Sequence, residues 1–191
     1  MIKAIVFDCF GVLTTDIWLA FCNSLPPEAD IAQASAINRA FDKGLISHDE
    51  YVSGVQDAVG SPPPSLDDLQ ENQIVKNQPL LDFIAALKPK YKIAILSNIS
   101  DDWITRVLLN KEDQGLFDTI VQSNDVGLAK PDTEIFALTC ERLGVSPEEA
   151  IMVDDRPRNV TGAIEAGLKG LIYEDFNRFK TELTALLDTN N

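Results

Sequence analysis

The sequence predicts an α/β fold: an open, doubly wound, Rossmann-like parallel sheet with a helical cap inserted after the first strand. Three observations predict it. Five short apolar runs recur along the 191 residues, at Ile2–Phe7, Tyr91–Leu96, Phe117–Gln122, Ala150–Val153 and Gly170–Tyr173. Apolar runs of this length, without strict alternation, suit parallel strands covered on both faces. Helical patterns separate the later runs, which is the βαβ rhythm of a doubly wound sheet. The interval from Thr14 to Gln78 breaks that rhythm, with several helix signals and no good strand.

Taken in order, Ile2–Phe7 is the first strand, and residues 1–13 and 79–191 form the α/β core around a cap at 14–78. Within the cap, "IAQASAINRAF" is an Ala-rich helical stretch, and Ser47 with Glu50 makes a capping box ahead of Tyr51 and Val55. The "SPPPS" of 61–65 is a stiff connector, after which Ser65 and Asp68 are expected to start another helix. The helix in "PLLDFIAALKP" has Leu80, Phe83, Ile84 and Leu87 on one face, between Pro79 and Pro89. The helices in "DTEIFALTCERLG" and "NVTGAIEAG" end at Gly144 and Gly167, where a left-handed residue closes a helix. The last, "DFNRFKTELTALL", presents Phe176, Phe179, Leu183 and Leu186 to the sheet.

Composition narrows the function. The net charge is −14, so a nucleic-acid backbone is repelled and any anion site must be made locally positive. The longest apolar runs are far too short to span a bilayer, so no membrane association is expected. The three cysteines, Cys9, Cys22 and Cys140, form no CxxC or Cys/His cluster, which favours a reducing compartment and a cytoplasmic location. A monomer or homodimer is expected.

The polar residues fall at strand ends. The first strand runs into Asp8, the second into Ser97 and Asn98, the fourth into Asp154 and Asp155, and Lys130 follows the third. In a doubly wound sheet these ends line one crevice. Singly, each residue has an ordinary reading as a cap, a turn former or a solvated charge. Jointly they suit phosphoryl transfer. Carboxylates hold a hard cation such as Mg²⁺ or attack phosphorus, and a lysine, a hydroxyl and backbone N–H groups near Gly11 and Asn98 bind phosphoryl oxygens.

These residues resemble a known family. "FDCFGVL", "LSNIS", "GLAKPD" and "MVDDRPRNVTGA" are similar, in order and spacing, to the four motifs of the haloacid dehalogenase (HAD) superfamily, in its branch with a helical cap after strand one. The resemblance covers nearly the whole chain. It implies Asp8 as nucleophile and Mg²⁺ ligand, and the Phe10 backbone carbonyl, Asp155 and its neighbour Asp154 as further ligands. It also implies Gly11, Ser97, Asn98 and Lys130 as the phosphate-holding set, and a small phosphorylated metabolite as substrate. The spacing from Asp154–Asp155 to Asn159 is similar to that of glucose-1-phosphate phosphatases, which makes a sugar phosphate the expected substrate. It also resembles the phosphatase domain of soluble epoxide hydrolases.

One position departs from the pattern. Most phosphatases of the family carry, two residues after the nucleophile, an Asp that protonates the leaving oxygen and then activates water. Here that residue is Phe10, and Val12 replaces a usual threonine. General acid–base help is worth about 10²–10⁴-fold. Three readings follow. The chain is a phosphatase that tolerates the loss, through a good leaving group or an acid from Asp16 or the cap. Or it is a 2-haloacid dehalogenase, whose members carry an aromatic tyrosine at this position, although their fourth motif lacks the two acids found here. Or it is a catalytically weak relative that binds a phosphorylated ligand or a protein partner.

The remaining candidates have plainer readings. His48, the sole histidine, follows the cap residue Ser47 and is expected on an exposed first turn. Cys9, beside acids, is a small packing residue rather than a nucleophile. Trp18 and Phe21 either pack in the cap or face the substrate. Arg39 is a possible cap contact for an anion, and Arg156 and Arg158 either tune the site or are solvated.

Overall fold

The computed structural model describes residues 1–66, 74–99 and 102–189. In chain order they form β1 (Ala4–Phe7), α1 (Ile17–Ser24), α2 (Ile31–Asp42), α3 (His48–Val59), α4 (Gln78–Leu87) and β2 (Lys92–Ser97). After a π-helical turn at Ile104–Leu108 come α5 (Lys111–Gln114), β3 (Thr119–Gln122), α6 (Ser123–Val126) and α7 (Thr133–Leu143). A 3₁₀ turn at Pro147–Glu149 leads into β4 (Ala150–Asp154), α8 (Pro157–Glu165), β5 (Lys169–Ile172) and α9 (Phe176–Asp188). The expected helix start at Ser65 and Asp68 runs into residues 67–73, outside the described residues.

The five strands form one parallel sheet in the order β3-β2-β1-β4-β5. Each expected strand is present, with ends displaced by a residue or two. The register sets Phe7 opposite both Ile95 and Val153. Asp8, Ser97 and Asp154 therefore leave the sheet at the same end. The strands are apolar on both faces because both are covered. Ile5, Phe7, Ile93, Ile95 and Val153 pack with Leu80, Ile84, Phe179 and Leu183 of α4 and α9. Val6, Leu96 and Met152 pack with Ile135, Phe136 and Ala163 of α7 and α8.

Helices α1–α3 occupy the interval that broke the strand rhythm, and they carry an apolar cluster of their own around Ala34, Tyr51, Val55 and Val59. Their starts are locally encoded. Asp16 accepts from Leu19 N and Asp30 from Gln33 N, and Ser47 with Glu50 forms the expected capping box. Trp18 and Phe21 both pack against this cluster, 5.5 Å apart between ring centres.

Helix α8 closes tightly on the segment that carries Lys130. A Cβ added at Gly162 would lie 2.2 Å from the Pro131 carbonyl oxygen and 2.9 Å from its Cβ. Backbone cannot yield as a flexible side chain would, so Gly162→Ala is expected to destabilise the protein by about 2–3 kcal/mol. A lowered urea midpoint with an unchanged slope is the expected measurement; an unchanged midpoint would show that α8 can shift without penalty.

Candidate active site

The centre of the site is a buried chain of charges. Lys130 Nζ lies 2.7 Å from Asp8 Oδ1 and 2.7 Å from Asp154 Oδ2. All three side chains are enclosed: Asp8 is 5% exposed, Lys130 2% and Asp154 0%. Main-chain hydrogen bonds fix where Lys130 sits. Asn98 Oδ1 accepts from Lys130 N at 2.8 Å, and Asn98 Nδ2 donates to the Lys130 carbonyl at 2.9 Å. The Asn98 amide, expected to hold phosphate, thus clamps the lysine backbone.

The two adjacent acids of the fourth strand differ in their partners. Asp154 ends β4 and its carboxylate is fully engaged, by Lys130 Nζ, by Arg156 N at 2.9 Å and by Asn159 Nδ2 at 3.0 and 3.1 Å. Asp155, next along, faces the β1 loop, and its buried Oδ1 has no hydrogen-bond partner among the described residues. Asp8 Oδ1 is taken by Cys9 N at 2.6 Å and by Lys130, whereas no described group donates to Oδ2.

Gly11 explains how Asp155 fits. Its φ is +86°, and a Cβ there would lie 2.5 Å from Asp155 Oδ2. The Gly11 N–H donates to the Thr14 carbonyl at 2.7 Å. That N–H closes the loop, and the glycine makes room for Asp155. Ser97 is buried at the tip of β2, with its Oγ unpartnered among the described residues.

The electrostatics follow from burial. Asp8 is pushed well above the ordinary carboxylate range by burial and by the Asp154 charge, with Lys130 opposing. Asp155 rises to about 6, through burial and the same neighbour. Burial pulls Lys130 down, but the two flanking carboxylates outweigh it and hold the lysine above its usual value. Asp8, Asp154 and Asp155 offer carboxylate oxygens that lie within 4.8 Å of one another. An all-oxygen donor set with excess negative charge and an unpartnered buried carboxylate oxygen fits a hard divalent cation such as Mg²⁺.

A cavity of about 430 Å³ opens over this centre, lined from the core by Asp8, Phe10, Asn98, Lys130 and Arg156. The cap contributes Trp18, Asn38, Phe41, Asp42, His48 and Tyr51. Phe10 stacks on Trp103, 5.6 Å between ring centres. His48 begins α3 as expected, largely exposed, and its ring meets Phe41 at 5.9 Å on the cavity wall. Arg156 reaches Asp16 at 2.6 Å, which together with the Leu19 N–H occupies the Asp16 carboxylate. Asp16 is therefore poorly placed to replace the missing acid. Cys9 is wholly buried and its thiol is raised by burial and by Asp8, in keeping with a packing role. Asn38, Asp42 and Tyr51 had no signal in the sequence; only the docking of cap on core brings them to the cavity.

Comparison with known proteins agrees with this geometry. A D-ribitol-5-phosphate phosphatase of Bacteroides thetaiotaomicron is 27% identical over 209 residues, covering 99% of this chain and all of that protein. A HAD family enzyme from the same organism, solved as a magnesium complex, superposes with a TM-score of 0.68 at 25% identity, covering 93% of this chain and 98% of that one. An (S)-2-haloacid dehalogenase of Burkholderia cepacia is 32% identical over 77 residues, 40% of this chain and 33% of that protein. The chain spans a third or less of the length of several curated relatives it matches in part. Among the described residues, no helix is long and apolar enough to cross a membrane. The family model described as haloacid dehalogenase-like hydrolase matches residues 2–167, and the chain belongs to that family of hydrolases.

Proposed function

We propose that this hydrolase is a Mg²⁺-dependent phosphatase of a small phosphorylated metabolite, acting through an aspartyl-phosphate on Asp8. One observation carries the reading: the buried Asp8–Lys130–Asp154 chain beside an unpartnered Asp155 carboxylate. The lysine lies between two carboxylates, and three acids around one ammonium leave net negative charge for a cation to neutralise. Beside a phosphate site the lysine places positive charge on the phosphoryl oxygens while holding the nucleophile. A polyol or sugar phosphate suits the polar groups that Asn38, Asp42, His48 and Tyr51 add to the cap wall, and the phosphatase relative acts by name on such a compound.

In this mechanism a carboxylate oxygen of Asp8 attacks phosphorus, and the bond to the leaving oxygen breaks. Water then attacks the phosphorus, releasing phosphate and restoring the Asp8 carboxylate. Lys130 and the Ser97 hydroxyl bind the phosphoryl oxygens. Asp155, Asp8 and the Phe10 carbonyl would hold Mg²⁺, which supplies further charge neutralisation when bound. Asp154, with every lone pair engaged, is a positioning residue for Lys130 rather than a ligand. Segment 14–78 acts as the cap that shields the reaction from water.

The test is a screen of phosphate esters with Mg²⁺ and with chelator, beside Asp8→Asn. Metal-dependent phosphate release by the wild type alone is expected. Equal activity in the variant would sink the proposal. Phe10 favours a second reading, because an aromatic residue at this place resembles the dehalogenases. Metal-independent halide release from 2-chloropropionate, with no phosphate release, would establish that reading instead.

A further inference from the structure

The phosphatase reading leaves a proton without a carrier. Phe10 stands where an acid is usual, and Asp16 is held by Arg156. Among the described residues that the cap brings to the cavity, Asp42 is the remaining carboxylate. Resting on that reading, we propose that Asp42, from the last turn of α2, is the catalytic acid–base of both steps, supplied across the cleft by the cap.

The geometry ties Asp42 to the phosphate loops from two sides. Its carbonyl lies 2.5 Å from Ser123 Oγ, which also accepts from Ile99 N at 3.0 Å, next to Asn98. The following residue, Lys43, pairs with Asp132 at 2.6 Å, two residues beyond Lys130. The end of α2 is thus anchored on both core loops that position Lys130. The side chain is itself oriented. Asp42 Oδ2 accepts from Asn38 Nδ2 at 3.1 Å, and Asn38 Oδ1 accepts from the Tyr51 hydroxyl at 3.1 Å. No described residue donates to Oδ1.

The surroundings make this carboxylate unlike an ordinary surface acid. Burial raises it to about 7, although Arg156, Lys130, Arg158 and Arg39 all draw it down. Tyr51, which reaches Asn38 from α3, has its own hydroxyl raised, first by burial and then by the Asp42 charge, and His48 shares the wall. A group that titrates near neutrality can give and take a proton in one cycle. In the first step the Asp8–phosphorus bond forms, the phosphorus–oxygen ester bond breaks, and the Asp42 proton passes to the departing alkoxide. In the second, Asp42 takes a proton from the attacking water as the Asp8–phosphorus bond breaks. The cycle consumes only water.

The experiment uses the full chain with Mg²⁺ and p-nitrophenyl phosphate, whose leaving group needs no proton. Asp42→Asn is expected to keep the first step and lose the second. It should release about one equivalent of nitrophenolate as a burst, accumulate acid-trappable phosphoenzyme, and turn over about 10²-fold more slowly than wild type. Wild-type turnover should rise with pH through about 7, because the ionised form accepts the proton from water, and that limb should be absent in the variant. Phe10→Asp should restore turnover in the Asp42→Asn background. Turnover of Asp42→Asn within about threefold of wild type, an unchanged pH profile, or equal loss of burst and turnover would overturn the assignment to Asp42 while leaving the phosphatase reading intact. A wild type that releases no nitrophenolate, or an Asp8→Asn variant as active as it, would overturn both.

Discussion

Replacing Lys130 by methionine is expected to remove at least about 10³-fold of turnover and to destabilise the fold by about 3–5 kcal/mol. Both effects come from one fact: a single ammonium group, almost wholly enclosed, is 2.7 Å from two buried carboxylates. Methionine fills the same slot with an apolar chain, so little cavity is created. What is lost is the compensation of Asp8 and Asp154. A buried charge left without its partner costs several kcal/mol, or forces the group to take a proton. A protonated Asp8 is no nucleophile, so activity falls for a second reason besides the missing charge on the phosphoryl oxygens. Arginine is not expected to rescue. Its planar fork cannot reach two oxygens from a slot shaped for a single nitrogen. Denaturant unfolding and phosphate release would be measured on the same samples. A methionine variant with the wild-type midpoint would mean the bridge contributes no stability, and the buried-charge account would be wrong.

That bridge was legible in part. Asp8, Lys130 and the Asp154–Asp155 pair stand out in the sequence because each follows an apolar run, and parallel strands deliver their ends to one edge. Register then does the rest: Phe7 opposite Ile95 and Val153 brings the tips level. Which of two adjacent acids meets the lysine was not legible. Asp154 ends β4 and Asp155 begins the bend after it, but only the fold shows that Lys130 lies on Asp154's side and the Gly11 loop on that of Asp155. The role of the Asn98 side chain was not legible for a related reason. An amide at a strand tip can bind a ligand or a backbone, and here the Lys130 main chain takes it. The cap's contribution is the least legible of all. Periodicity finds α2 and α3, but the side of α2 that meets the core depends on contacts such as Asp42 to Ser123, between residues 81 apart in sequence.

Asp8→Asn should act oppositely on activity and on stability. Turnover should disappear, since an amide cannot form the phosphoenzyme; losing a catalytic nucleophile elsewhere has removed about 10⁶-fold. Yet in chelator the variant is expected to be more stable than the wild type, by about 1–2 kcal/mol. Asp8 is crowded by Asp154 and Asp155, and burial together with the Asp154 charge disfavours its ionised form. An asparagine oxygen can still accept from Cys9 N and Lys130 Nζ, now with one fewer negative charge in the cluster. Lys130 keeps a full partner in Asp154. The lysine variant subtracts the cation that bridges this group, and the Asp8 variant subtracts one of three anions, so the two shifts should have opposite signs. Adding Mg²⁺ should then raise the wild type by RT ln(1 + [Mg²⁺]/Kd) and the variant by less, because one ligand is gone. The melting temperatures should converge or cross as metal is added. If Asp8→Asn instead lowers the midpoint in chelator, the Asp8–Lys130 pair outweighs the repulsion among the acids. The site would then be held together by its charges rather than strained by them.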